Sequence, residues 1–217
     1  DKDPDNRLLA RQNPRRLEAE FIRDNALAIA GLLNLDLGGP PVKPYQPEGY
    51  YANLQFPDRP YVPETDARQW RRGVYVHWQR TFLLPSLVNF DAPSREECTA
   101  ARTVANTPQQ ALTLLNDPTF VEAARAFAAH LLSDGGKSDT EKLDAAFLRA
   151  LSRPSKAPEK ESLLAFLAKV RSEYRQRPED AKKLQTVGIA PAPTDRDPVE
   201  LAAWTSVCRV ILNLPET

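Results

Sequence analysis

The sequence predicts an all-α protein, an irregular helical bundle of about six to eight helices with one long aromatic- and proline-rich loop. Three observations carry this. Proline recurs where helices should open, at Asn13-Pro14, Thr107-Pro108, Asp117-Pro118, Ala157-Pro158, Arg177-Pro178 and Asp197-Pro198. The stretch after each lacks Gly and Pro and is rich in Ala, Leu, Glu, Lys and Arg. Within these stretches apolar residues return every three or four positions, the period of a helix face. Proline suits a first turn because its missing N–H would be unpaired there anyway, and Asn, Thr or Asp before it accepts a bond from a free backbone N–H.

Residues 1–13 are polar and read as an extended arm. Helix one is expected from Pro14 to Leu33, burying Leu17, Phe21, Ala28, Ile29 and Leu32, and Gly38-Gly39-Pro40-Pro41 ends it. The prolines that follow make 38–66 a long irregular loop, and loops of that length often carry function. Residues 67–82 are ambiguous. Val74, Val76 and Trp78 alternate like a strand, while Trp70, Val74 and Trp78 repeat like a helix. With no partner strand evident elsewhere, helix is the favoured reading.

Residues 85–107 read as short turns or single-turn helices. Helices follow near 108–115 and 118–132, the second with Phe120, Ala124, Phe127 and Leu131 inward. Ser138 and Glu141 form a capping box that opens a helix to Leu151, burying Leu143 and Phe147. The next runs from Pro158 to Arg175 with Leu163, Leu167, Val170 and Tyr174 inward, then a short one spans 178–184. Residues 186–196 read as a linker. The last helix starts at Pro198 and buries Leu201, Trp204, Cys208 and Ile211. The whole of 1–217 is expected to form a single helical domain.

Lys plus Arg is 29 and Asp plus Glu is 29, so the formal net charge is zero. That argues against a nucleic-acid binder and against a polybasic membrane anchor. No apolar run reaches the ~18–20 residues of a transmembrane helix. The chain has no methionine, even at position 1, and is expected to be a processed or excised piece of something longer. Cys98 and Cys208 are its only cysteines. A disulfide between them would close a long loop and imply an oxidising compartment, and two small buried residues on helices are an equal alternative.

The most suggestive region is 45–82, which holds Tyr45, Tyr50, Tyr51, Phe56, Tyr61, Trp70, Tyr75, Trp78 and Phe82 interleaved with amides, carboxylates and arginines. Such a set can pin its own loop to the helical body. It can also anchor a protein partner, or stack a sugar while polar side chains bond its hydroxyls. Tyr45, Tyr50, Tyr51, Tyr61, Trp70, Arg71, Arg72 and Trp78 are the candidate ligand- or partner-binding residues, with Trp70 and Trp78 as expected anchors.

Other constellations point to structure. Arg15, Arg16, Glu18, Glu20, Arg23 and Asp24 space as ion pairs along helix one, Arg16 to Glu20 among them. Asp1, Asp3, Asp5 and Asn6 open like a calcium loop, but Pro4 intrudes and no closing carboxylate follows. His77 and His130 lie on separate segments and do not make a zinc site. Thr107 caps one helix and Asn116-Asp117 marks the corner to the next, with Arg102 and Asn106 beside them as a secondary binding candidate if both stand exposed and unpaired.

Several segments resemble a known family: Asp3-Pro-Asp-Asn-Arg-Leu-Leu-Ala-Arg-Gln with Arg16-Leu-Glu-Ala-Glu; Pro41-Val-Lys-Pro-Tyr-Gln-Pro-Glu-Gly; Phe90-Asp-Ala-Pro; Asn106-Thr-Pro-Gln-Gln-Ala-Leu-Thr-Leu-Leu-Asn-Asp-Pro; and Ala203-Trp-Thr with Leu212-Asn-Leu. They resemble the planctomycete-specific domain one family, a domain of unknown function. The resemblance implies a place at the C-terminal end of a large exported protein, periplasmic or extracellular, whose earlier domains include a c-type cytochrome domain. It also implies that the domain's first portion lies upstream of this sequence. No Cys-x-x-Cys-His is present, so any haem of the parent belongs to its other domains and no cofactor or metal is expected in this chain.

The family brings no catalytic residues to carry over. The expectation is therefore a non-catalytic structural or interaction module, whose partner is the remainder of its parent or another chain. The alternative is a glycan-binding or glycan-processing domain acting on polysaccharide through 45–82.

Overall fold

A computed structural model describes residues 3–12, 15–53, 60–133 and 138–217. Among them are eight α-helices and no strand. They are α1 (Ala19–Ala30), α2 (Pro85–Val88), α3 (Pro108–Asn116), α4 (Pro118–Ser133), α5 (Asp139–Leu151), α6 (Ala157–Gln176), α7 (Pro178–Gln185) and α8 (Pro198–Ile211). The all-α reading holds. Asn13-Pro14, expected to open helix one, lies outside the described residues.

The helix heads are built as the sequence implies. The Asp117 carboxylate accepts the Thr119 N–H at 2.9 Å, and Asp197 accepts that of Val199 at 2.9 Å. Ser138 and Glu141 close their box reciprocally, the Ser138 N–H donating to Glu141 at 2.7 Å and the Glu141 N–H to Ser138 Oγ at 3.3 Å. Each bond satisfies a donor that a helix start leaves open.

The core centres on α4 and α8, which pack on each other, with α1 and α6 alongside. Ala123, Ala124 and Ala128 of α4 and Ala202 and Ala203 of α8 are fully buried. These small side chains let the helix backbones approach while Phe120, Phe127, Phe147, Leu143, Leu167 and Trp204 fill the space between the helices. A smaller cluster joins Ala19 to Val76, Leu84, Leu87, Phe90 and Ala92 under the loop region.

Helix one departs from expectation three times. It ends at Ala30, not Leu33, because Gly31 takes the left-handed conformation and caps it well before Gly38. It begins at Ala19, because residues 15–18 take tertiary partners: the Arg16 guanidinium lies 5.9 Å from the Phe90 ring centre and Glu18 pairs with Arg102 at 3.3 Å. Its inward face is also rotated. Ala19, Ala26, Leu27 and Ala30 are buried along with Ile29, whereas Phe21 is 48% exposed and Leu17 and Ala28 are exposed. The rotation turns Arg23 and Asp24 inward, where they hold the 69–73 segment. The expected Arg16–Glu20 pair is replaced by Glu20 with Arg102, at 2.6 Å.

The helix expected over 67–82 is also corrected. Two short 3-10 turns, Ala67–Trp70 and Gly73–Tyr75, stand there, flanked by isolated parallel bridges Asn34↔Arg71 and Val42↔Val76. Partner segments therefore exist: the Val42 N–H donates to Tyr75 O at 2.8 Å and the His77 N–H to Val42 O at 2.7 Å. These lone ladder bonds come from the long loop, whose sequence gives no strand pattern.

Candidate functional site

The tyrosines of the long loop gather as the composition of 45–82 suggests. Tyr51 meets Tyr61 edge-on at 5.1 Å and Phe82 at 5.8 Å, and Tyr50 meets Phe82 at 5.8 Å. The Tyr50 hydroxyl donates to Leu83 O at 3.0 Å, and that of Tyr61 to Pro44 O at 2.6 Å. Burial pushes the Tyr61 phenol well above its ordinary range, and Tyr51 adds to the effect. With Pro47, Pro60 and Pro63, the rings of Tyr50, Tyr51 and Tyr61 wall a groove of about 430 Å3. Gln46 also lines it, and its Oε1 is buried without a hydrogen-bond partner among the described residues. Phe56 lies outside the described residues.

The two expected anchors stand apart from this groove. Trp70 points into the body, where its Nε1–H donates to Glu122 at 3.2 Å. Trp78 donates to Ser94 O at 3.0 Å and lies 3.9 Å beneath the Arg95 guanidinium. Each indole therefore has a structural partner, as expected of a loop that pins itself down. Arg71 is buried. It bonds the carbonyls of Asp36 and Pro40, each at 3.1 Å, and that of Gly38, and its guanidinium stacks on Tyr75 at 4.0 Å. Arg72 reaches Asp24 at 3.5 Å. Tyr45 sits at the inner end of the segment, where burial first and the Glu122 carboxylate second raise its phenol strongly.

Two polar centres hold this region on the helices. In the first, buried Arg23 donates to the carbonyls of Arg71 and Gln69, each at 2.6 Å, while Asp24 accepts the Gly73 N–H at 2.6 Å. Burial raises the Asp24 carboxyl against the opposing pull of Gly73, Arg23 and Arg72. Gly73 is required because a Cβ there would lie 2.9 Å from the Glu20 Cα.

The second centre is Glu122, fully buried in α4. It accepts the N–H groups of Ile189 at 2.7 Å and Ala190 at 2.6 Å while also receiving Trp70. One turn on, Arg125 donates to the carbonyls of Val187 at 3.3 Å and Ala190 at 2.5 Å. The stretch 186–196, read as a linker, is thus fastened through both polarities of its backbone.

Sequence reasoning missed Glu122, Arg125 and Gly188. The usable clue was that Glu122 and Arg125, one turn apart, are the only acid and arginine in a helix otherwise apolar nearly all round. A helix of that kind is buried, so its charges must be bonded internally.

The remaining candidates resolve into structure. Arg102 is committed to Glu20 at 2.6 Å. Asp3, read in the calcium-like run, accepts the Arg7 and Leu8 N–H groups, each at 2.9 Å, and so caps a turn; Asp1 lies outside the described residues. No cluster of metal-ligating side chains occurs among the described residues. Cys98 and Cys208 are both free thiols, the first on an exposed loop and the second fully buried in α8, so the candidate disulfide is not formed. Among the described residues no helix is long and apolar enough to cross a membrane.

No curated protein and no solved structure matches the chain. Residues 1–167 match a family described as PSD1, protein of unknown function (DUF1553). That segment covers the aromatic groove, both polar centres' anchoring side chains and α1 to α5, and so the chain belongs to the PSD1 family.

Proposed function

We propose that this protein is a non-catalytic interaction module of a larger exported protein, and that the tyrosine- and proline-walled groove lined by residues 46–52, 60, 61 and 63 is its contact surface. The groove carries the reading. Its walls include aromatic and proline side chains, aromatics being a main source of interface energy, and Gln46 brings a buried acceptor with no donor among the described residues. The buried charges around it act as scaffold. Arg23, Asp24, Arg71, Glu122 and Arg125 are each spent on backbone groups, which fixes the loop on the helices. Export and a cytochrome-bearing parent rest on the family resemblance of the sequence motifs.

The ring geometry favours a protein partner over a glycan. Sugar binding needs open ring faces, whereas Tyr51 meets Tyr61 and Tyr50 meets Phe82 edge to face, and Tyr50 and Tyr61 already use their hydroxyls internally. A photo-crosslinking residue placed at Glu48 on the groove rim, with Lys169 on α6 as control, tests this in the source cell. A discrete protein adduct from position 48 and none from 169 supports the reading. Equal adducts at both positions overturn it. So does oligosaccharide binding that a Tyr51→Ala variant abolishes, which would establish the glycan alternative.

A further inference from the structure

The segment that matches the family stops at Leu167, partway along α6, and α7 and α8 lie beyond it. Taken alone, that segment would leave its largest apolar surface open. Phe120, Ala124 and Phe127 of α4 and Phe147 of α5 are fully buried here, and α8 is the helix packed most extensively on α4. The occupant has the matching chemistry. Residues Leu201 to Cys208 are buried in unbroken succession, Trp204 and Cys208 completely, so α8 is enclosed all round.

The seams are closed by polar bonds that cross the boundary at Leu167. Arg209 donates to the Leu115 carbonyl at the end of α3. Arg171 bridges Asp139 on α5 at 3.0 Å and Glu200 on α8 at 2.6 Å. Glu122 and Arg125 hold the stretch that leads into α8.

We infer that the family segment carries an acceptor surface for one largely apolar, tryptophan-bearing helix, that α8 is its occupant in this chain, and that residues 168–212 belong to the same cooperative unit. An apolar face of this size is not stable in water uncovered, and α8, buried without a break from Leu201 to Cys208, is largely apolar and depends on that cover. The apolar surface of α4 and α5 and the helix that covers it therefore form and dissolve together.

Native-state hydrogen exchange on the full chain tests this, because it reports the opening free energy of each helix separately. The slowest amides of α4 and α8 are expected to exchange with protection factors within about threefold of each other, as members of one unfolding unit. Trp204→Ala should lower both sets by the same factor, at least about 100-fold. If that variant does not fold, the milder Val207→Ala should lower both by about tenfold. The inference fails if α8 amides exchange far faster than those of α4 in the wild type. It fails equally if the loss caused by either substitution stays within α8 while α4 keeps its protection.

Discussion

A Cβ placed on Gly188 would lie 2.2 Å from Cδ of Glu122, so the chain between α7 and α8 closes on the buried carboxylate to a distance only glycine allows. The backbone there also has φ +82°, in the left-handed region. Sterics and conformation thus require glycine for the same reason: the Ile189 and Ala190 N–H groups must reach one carboxylate oxygen.

Gly188→Ala should therefore destabilise by about 2–5 kcal/mol, the left-handed cost plus an overpacking cost. Gly38→Ala is the control, because Gly38 also has φ +74° but a Cβ there meets nothing within 4 Å. It should cost only about 1–2 kcal/mol. Urea midpoints of the two variants give the comparison, and equal losses would mean that the approach to Glu122 is not tight in solution.

Glu122 receives donors from three directions, and the two ways of removing its charge should differ. Glu122→Ala leaves the Ile189 and Ala190 N–H groups and the half-buried Trp70 indole without their acceptor, at a cost of about 3 kcal/mol or more. Glu122→Gln keeps one oxygen for Ile189 and Ala190 but turns an NH2 toward the Trp70 N–H. Its smaller loss should shrink when Trp70→Phe removes the opposed donor, with a coupling of about 1 kcal/mol in a double-mutant cycle. Additive losses would show that Trp70 and Glu122 do not share a bond.

The helices were legible because local rules decide them. Proline, Asp197, Thr107 and the Ser138–Glu141 box mark helix starts without help from the rest of the chain. The inward faces of α4 and α8 were legible too, since those helices are apolar over most of their circumference. Helix one was misread because its face is chosen by partners far away in sequence: Arg23 and Asp24 turn inward to bond residues 69–73.

The 67–82 segment failed for the same reason, since its bridges come from Asn34 and Val42. The clustering of Tyr50, Tyr51 and Tyr61 could be anticipated from composition. The diversion of Trp70 to Glu122 could not, because nothing local distinguishes a tryptophan facing a groove from one facing a buried acid.

Two carboxylates should move stability in opposite directions with pH. Hydrogen bonds from Arg153, then from the Lys156 N–H, hold Glu159 down to about 2, from an ordinary value of 4.5. Its folded pKa lies below its unfolded one, so its contribution is present above about 4.5 and is lost as pH falls toward 2. Asp24 is raised by burial, so its contribution has the opposite sign: stability falls as pH rises through its folded pKa. Glu159→Gln should flatten the acid side of the stability curve, and Asp24→Asn, which keeps an acceptor for Gly73, should steepen it. Urea midpoints from about pH 3 to about pH 7 read both slopes. Parallel curves for the wild type and Glu159→Gln would remove the Arg153 pair as a source of acid sensitivity.

The two thiols should report on surface and core separately. Cys98 is exposed on the loop between α2 and α3, and Cys208 is fully buried in α8, where burial alone pushes its thiol far above the ordinary range. A thiol reacts as thiolate and only where reagent can reach it. A disulfide-exchange reagent such as dithiobis-nitrobenzoate should modify Cys98 at once in the native protein and Cys208 only at the rate at which α8 is released. Cys98→Ser should abolish the fast phase and leave the slow one unchanged. In Cys208→Ser the fast phase should remain alone, together with a stability loss from a hydroxyl placed without a partner in the core. Fast reaction of both thiols in the wild type would mean that α8 is not enclosed, and would undo the account of the core along with the assignment of the two cysteines.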